Sequence, residues 1–471
     1  MASGLLTDLY QITMAYGYWK TGKHEQKTVF HWFYRKNPFG GDYTVACGLQ
    51  PAIDFVLNWQ FSGEEVAYLS KLKGNDGQPL FESAFLDYLA QLRFTGDIYA
   101  VEEGTIVFPH LPLLRIEADL IQAQLLETVL LTILNFQTLI ATKSARVKAA
   151  AGADTVLEFG LRRAQGMDGG ISASRAAYVG GADATSNVLA GMRYDIPVKG
   201  THAHAWVMSF PTESEAFAEY ARAMPNNCVF LVDTYDTLKG VAHAIEIGKK
   251  LQAQGHKMQG IRLDSGDLVS LSQKARVLLD AAGFTDAQIV ASDDLNEYKI
   301  RELKQAGAKI DVWGVGTQLV TAYDQPALGG VYKLAAIRNP ETKAWDYKLK
   351  LSENPIKVSN PGLLQVRRFF LTDNHPFGDM ILDEEETQPS ELIQSWDGRE
   401  ITTKGRIFEN LLKPILQNGQ LVYQFPSIHQ TRQKTISQVA LFKDTDFKLY
   451  PVGLEQKLNN FKQKLILQLK Q

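Results

Sequence analysis

Gln259-Gly260-Ile261-Arg262-Leu263-Asp264-Ser265-Gly266-Asp267 places a short β-type run directly before a polar cluster, and helical spacing follows it. The same unit recurs along the middle of the chain. Strand-like runs at 155–159, 196–199, 228–232, 288–291 and 310–313 also end in polar residues and lead into helical patterns. Apolar strands alternating with helices mark parallel βα units, which are covered on both faces. Six in succession predict an α/β fold, an irregular parallel barrel over residues 146–330. In such barrels the C-terminal strand ends form the mouth that carries the chemistry.

Outside this stretch the rhythm changes. Residues 1–145 read as an α+β domain. Leu5, Leu9 and Ile12 predict a helix over 5–20, and an aromatic run predicts a strand at 29–35. The turn Asn37-Pro38-Phe39-Gly40-Gly41 leads to a strand at 43–46, and three short helices follow between 50 and 93. A strand pair at 105–108 and 113–117 precedes a helix-rich run at 119–150. Residues 331–471 read as a β-rich domain, with strands at 332–336, 345–351, 364–370, 380–382 and 421–423. It ends in a helix at 453–470, with Lys457, Lys462, Lys464 and Lys470 on its solvated face.

A chain of 471 residues has room for two or three domains. Its net charge of −3 supplies no basic field, so nucleic acid is not an expected partner. Two cysteines, Cys47 and Cys228, exclude a disulfide scaffold and a multi-cysteine metal site, and suit a reducing cytoplasm. The first eight residues lack the basic leader and apolar core of a signal peptide. The most apolar stretch, 125–140, is interrupted by Glu127, Thr128, Asn135 and Gln137, which predicts a buried helix and no membrane span.

The strand ends hold the candidate chemistry. Lys199-Gly200-Thr201-His202-Ala203-His204 presents a His-x-His pair, with Gly200 and small alanines keeping the backbone close to any occupant. It reads as a metal pair, a catalytic histidine with an incidental neighbour, or two packed histidines. Gly314-Val315-Gly316-Thr317 offers backbone amides and a hydroxyl to a phosphate, or is an ordinary glycine-rich loop. Arg162, Arg163 and Arg262 suit phosphate or carboxylate, unless they pair with acids such as Glu158. Asp233, Asp236, Asp264, Asp267, Asp293 and Asp294 suit a polyphosphate with Mg²⁺, although Asp267 and Asp294 also fit helix caps. A zinc hydrolase would need more histidines at later strand ends, where none stands. A single histidine acting as nucleophile or phosphoryl acceptor, oriented by a carboxylate, fits better.

Five motifs in order resemble the nicotinate phosphoribosyltransferase family. They are Thr7-Asp8-Leu9-Tyr10, the run Glu158-Phe159-Gly160-Leu161-Arg162-Arg163-Ala164-Gln165-Gly166, Gly200-Thr201-x-Ala203-His204, Ile261-Arg262-Leu263-Asp264-Ser265-Gly266-Asp267, and Gly314-Val315-Gly316-Thr317. The resemblance implies a type II phosphoribosyltransferase-like barrel with flanking α+β and β-rich domains. It implies transfer of phosphoribosyl from phosphoribosyl pyrophosphate to nicotinate in NAD biosynthesis, with ATP and Mg²⁺, through a transient phosphohistidine at His204. His202 falls at the variable position and inherits no role. Tyr10, Thr201 and Arg262 map to the nicotinate site, and Gly316 and Thr317 to the phosphoribosyl phosphate. The related nicotinamide enzymes place Phe159 on the pyridine ring and Arg162 near phosphate, with Tyr10 arriving from the second subunit of a homodimer. Asp233 and Asp264 would orient His204 or hold ribose and Mg²⁺, the ion otherwise being carried by the substrate pyrophosphate. The alternatives are a sister transferase using nicotinamide or quinolinate, a non-catalytic nucleotide-binding homologue and, more distantly, the zinc hydrolase.

Overall fold

Short apolar runs build a six-stranded, wholly parallel sheet in the order Ala184–Thr185, Thr155–Glu158, Val312–Val315, Gln288–Ala291, Gly260–Leu263, Val229–Leu231. The structure is a computed structural model that describes residues 2–372, 375–386, 391–395 and 397–470. The chain divides into two compact units. One comprises Ile140–Pro326 and Ile428–Gln433 and contains this sheet; the other comprises Met1–Leu139, Ala327–Ser427 and Lys434–Gln471.

Within the first unit, helices cross between successive strands, as parallel pairing requires. Several begin at side-chain caps. Asp236 accepts from Lys239 N–H, Asp267 from Ser270 N–H and Asn296 from Lys299 N–H. Asp236 and Asp267 are therefore helix caps. Leu157, Ala184, Val290 and Val312 form one buried cluster, with Phe159 and Val229 packed against it.

The predicted strand at 196–199 is reduced to a bridge. Thr185 N–H donates to Pro197 O and Lys199 N–H to Thr185 O, each at 3.0 Å. Pro197 has no N–H to extend the ladder. The strand beside Thr155–Glu158 is instead Ala184–Thr185, too short to stand out in the sequence. Glu158, fully buried, joins these elements by accepting from Ser174 Oγ at 2.8 Å, Thr185 Oγ1 at 2.6 Å and Gly160 N–H. It is thus unavailable to Arg162 or Arg163.

The second unit holds a seven-stranded antiparallel sheet, in which Lys27–Tyr34 lies between Gly330–Arg338 and Leu114–Asp119. Beyond Leu114–Asp119 lie Asp97–Val101, which the sequence reading lacked, and Leu412–Gln417. A six-stranded mixed sheet runs from Glu400–Ile401 to Ile407–Asn410. Ile106–Val107 pairs with Thr44–Val45, so the expected pairing of 105–108 with 113–117 does not form. The first helix is Leu9–Lys20 and buries Gln11, Ile12 and Ala15, while Leu9 is exposed. The run at 119–150 splits into Leu120–Leu125 and Glu127–Ala151, and Ile428–Leu441 is a helix where none was expected. Lys462 leaves the solvated face of Gln456–Lys470: its ammonium meets Asn360 Oδ1 at 2.8 Å, and burial lowers it to about 8. Among the described residues no helix is long and apolar enough to cross a membrane.

Three histidines are held neutral. Burial foremost pushes His110 and His202 down to about 4 and His31 well below its usual value. An unfolded imidazole titrates near 6.5, so between about 6.5 and 4 the unfolded chain binds more protons. Stability should therefore fall as pH drops through that window, by up to about 2 kcal/mol each for His110 and His202 after solvent screening, and His31 should act in the same direction. Urea unfolding midpoints at pH 7, 6 and 5 measure this; an unchanged midpoint would contradict it.

Candidate active site

The C-terminal ends of the parallel strands bring most of the predicted residues together. Arg262, on Gly260–Leu263, donates from Nε to Ser292 Oγ at 2.8 Å, from Nη1 to Thr201 Oγ1 at 3.1 Å and from Nη2 to Asp264 Oδ1 at 2.6 Å. Ser292 Oγ donates in turn to the Asp264 carboxylate. A guanidinium carries five N–H donors, and these bonds use three. Among the described residues one N–H therefore remains unused on each terminal nitrogen. The guanidinium carbon stands 5.9 Å from the Phe159 ring centroid. Phe159 N–H donates to Val315 O at 2.8 Å, and its ring lies over the bare face of Gly314. Together they make an aromatic wall beside a fixed cation.

His204 opens the short helix His204–Met208. Its Nδ1 bonds with Thr234 Oγ1 at 3.1 Å, and its Nε2 stands 3.6 Å from Asp264 Oδ2. The imidazole is partly exposed, so it can meet an incoming group while both nitrogens stay oriented. Asp233 Oδ2 accepts from Asp264 N–H at 2.8 Å and Ser265 Oγ at 2.7 Å. Its Oδ1 is buried and has no hydrogen-bond partner among the described residues. A buried acceptor without a donor carries a desolvation penalty until a ligand reaches it. Asp233 and Asp264 are thus joined through backbone and aimed differently.

The remaining predicted residues have other surroundings. Tyr10 belongs to the second unit, half exposed on Leu9–Lys20, where its hydroxyl accepts from Gln11 Nε2 at 2.9 Å. Arg162 is exposed in the turn Leu161–Arg163, with no described contact to the cluster. The glycine-rich run is shorter than the sequence suggests. Gly314 lies inside Val312–Val315, leaving Gly316 and Thr317 to open the helix Thr317–Val320. A Cβ at Gly200 would meet nothing within 4 Å, so its small size is not required by contact. Asp293 pairs with Lys299 at 3.2 Å; Asp294 accepts from Gln318 at 2.8 Å and caps no helix. Ser292 and Thr234 were passed over in the sequence. Their only signal was position at a strand end; the partners of Ser292 come from the neighbouring strand and that of Thr234 from the helix His204–Met208.

His202 is buried and turned from His204. Its Nε2 accepts from Leu231 N–H at 3.2 Å, and its ring packs edge-on against Tyr220 at 4.8 Å between centroids.

Three family models match the chain: the nicotinate phosphoribosyltransferase N-terminal domain over residues 5–135, the nicotinate phosphoribosyltransferase family over 155–346, and the C-terminal domain over 364–462. The chain is 44% identical over 468 residues to the nicotinate phosphoribosyltransferase of Bacillus subtilis (strain 168), covering 96% of this chain and 93% of that protein. Its structure matches the crystal structure of human nicotinic acid phosphoribosyltransferase with a TM-score of 0.86 at 30% identity, over 98% of this chain and 100% of that one. A nicotinate-nucleotide pyrophosphorylase from Pyrococcus furiosus shares the fold, with a TM-score of 0.69 at 22% identity over 93% and 96% of the chains.

The aromatic wall depends on one missing side chain. A Cβ at Gly314 would stand 2.8 Å from Phe159 Cδ2. Gly314→Ala should therefore cost about 2 kcal/mol by overpacking, whereas Gly200→Ala should stay within about 0.5 kcal/mol. Urea unfolding of the two variants tests the contrast.

Proposed function

The chain belongs to the nicotinate phosphoribosyltransferase family, and we propose how its strand-end cluster divides the work of that reaction. The protein transfers phosphoribosyl from phosphoribosyl pyrophosphate to nicotinate, yielding nicotinate mononucleotide and pyrophosphate for NAD biosynthesis. The pyridine nitrogen forms a bond to the ribose anomeric carbon as the carbon–oxygen bond to pyrophosphate breaks, and the electron pair leaves with pyrophosphate.

The observation that carries the site reading is Arg262, fixed by three side chains with one free N–H on each terminal nitrogen. These donors hold the nicotinate carboxylate, and Phe159 covers the ring face beside them. Thr201 steadies the guanidinium beside those donors. Holding a flat acid by two edges sets its nitrogen for in-line attack. Gly316 and Thr317 present a backbone amide and a hydroxyl to the phosphoribosyl phosphate, with Arg162 reaching in from its exposed turn.

Positive charge grows on the ribose as the bond breaks, and carboxylates near the sugar favour it. Asp233 Oδ1, buried without a donor, fits a ribose hydroxyl or a hard cation carried by pyrophosphate. Bound Mg²⁺ would neutralise the charge developing on the leaving group. His204 accepts the γ-phosphoryl of ATP: a nitrogen–phosphorus bond forms, the bond to ADP breaks, and water later releases phosphate. Asp264 and Thr234 orient the ring for both steps. This coupling makes the enzyme an ATP-hydrolysing ligase. We also place it in the cytoplasm, where its two buried cysteines stay reduced, as a homodimer with Tyr10 serving the second copy's site.

Incubation with nicotinate, phosphoribosyl pyrophosphate, ATP and Mg²⁺ should give nicotinate mononucleotide by mass, and nicotinamide or quinolinate should compete poorly. With γ-labelled ATP the wild-type protein should retain label and His204→Ala should not, while base transfer continues more slowly and uncoupled from ATP. Label on His204→Ala would remove the phosphohistidine from this site.

A further inference from the structure

The parallel sheet has a seam. Among the described residues its end strands, Ala184–Thr185 and Val229–Leu231, share no ladder. The chain crosses the gap once it has bridged Thr185 at Val198. On the far side, Val232 N–H points inward to Arg262 O at 3.2 Å, so Leu231 N–H points outward, to the edge where no strand follows. The His202 imidazole fills that place: Nε2 accepts from Leu231 N–H, and Nδ1 faces Ala203 O at 3.4 Å. Those partners require the Nδ1–H tautomer of a neutral ring, the state that burial favours.

The crossing segment is tied to the neighbouring strand ends at three nearby points. Thr201 meets Arg262, His202 meets Leu231 and His204 meets Thr234, three residues beyond Leu231. The outer two contacts belong to the reaction. The middle one touches no substrate-facing group.

We propose that His202 is a positioning residue, whose Nε2 replaces a strand carbonyl across the seam and sets the segment 201–204 so that His204 meets Thr234 and Asp264. The acceptor, rather than the bulk of the ring, carries this role. The inference takes His204 as the reacting residue from the reading above, but its own tests do not require a phosphohistidine.

Two variants separate acceptor from bulk. His202→Phe keeps an aromatic ring against Tyr220 and removes the acceptor; His202→Gln keeps an acceptor near Nε2 and removes the ring. In nicotinate mononucleotide formation, His202→Phe should lose at least tenfold in kcat, with the KM values for nicotinate and phosphoribosyl pyrophosphate changing less than threefold. His202→Gln should stay within about threefold of wild type in all three. Wild-type activity in His202→Phe, or equal losses in both folded variants, would overturn the proposal. Independently of variant folding, ¹⁵N-histidine spectra of the wild-type protein at pH 7 should show His202 Nε2 unprotonated and Nδ1 protonated. The opposite tautomer, or a charged ring, would overturn it as well. An unlabelled wild-type protein, or label retained on His204→Ala, would refute the phosphohistidine at His204 and leave these outcomes unaffected.

Discussion

Parallel hydrogen bonding is the constraint from which the site follows. Each strand of the six-stranded sheet must return through a crossover before its neighbour can pair in the same direction. All the C-terminal ends therefore face one way, and the residues after them share one edge. Phe159, Asp233, Asp264, Ser292 and Gly316 come from five different strands, yet the sheet gathers them without any long-range signal between the motifs.

That edge is organised by partly buried charge. Arg262 and Asp264, two residues apart, point to the same side of their strand and pair at 2.6 Å. Ser292 from the next strand contacts both. A guanidinium fixed in this way loses little further freedom when a carboxylate arrives, and its remaining donors are already oriented. Asp264 uses its other oxygen towards His204, so one carboxylate links the guanidinium to the imidazole. Asp233 supports Asp264 through its backbone and keeps one oxygen unsatisfied. The cluster is prepared for ligands at a cost in stability, the usual bargain of preorganised sites.

The helix-bearing stretch was legible because its signals are local: apolar runs of strand length, polar ends, and Asp or Asn caps. Legibility failed where a partner decided the outcome. The bridge at Thr185 and Val198 involves a two-residue strand and a proline-containing run, neither of which carries a period. Gly314 looked like part of a phosphate loop, but its missing side chain accommodates Phe159 within the sheet. Lys462 sits in a lysine-rich helix and still leaves water for Asn360. In the other unit Ile106–Val107 pairs with Thr44–Val45, because turns leave several registers open and packing selects among them.

By itself the sequence determined the parallel βα plan, the edge where its polar residues gather, and the family to which the ordered motifs belong. It also separated His204 from His202 by motif position. Only the tertiary structure decided what the two histidines touch. Side chains two residues apart on an irregular segment can face different surroundings, and which one is buried depends on the strand arriving from elsewhere. Here that strand offers a backbone N–H to His202, while Thr234 and Asp264 bracket His204. Such pairings rest on contacts about thirty or sixty residues apart in the chain, and no local pattern of charge or hydrophobicity encodes them.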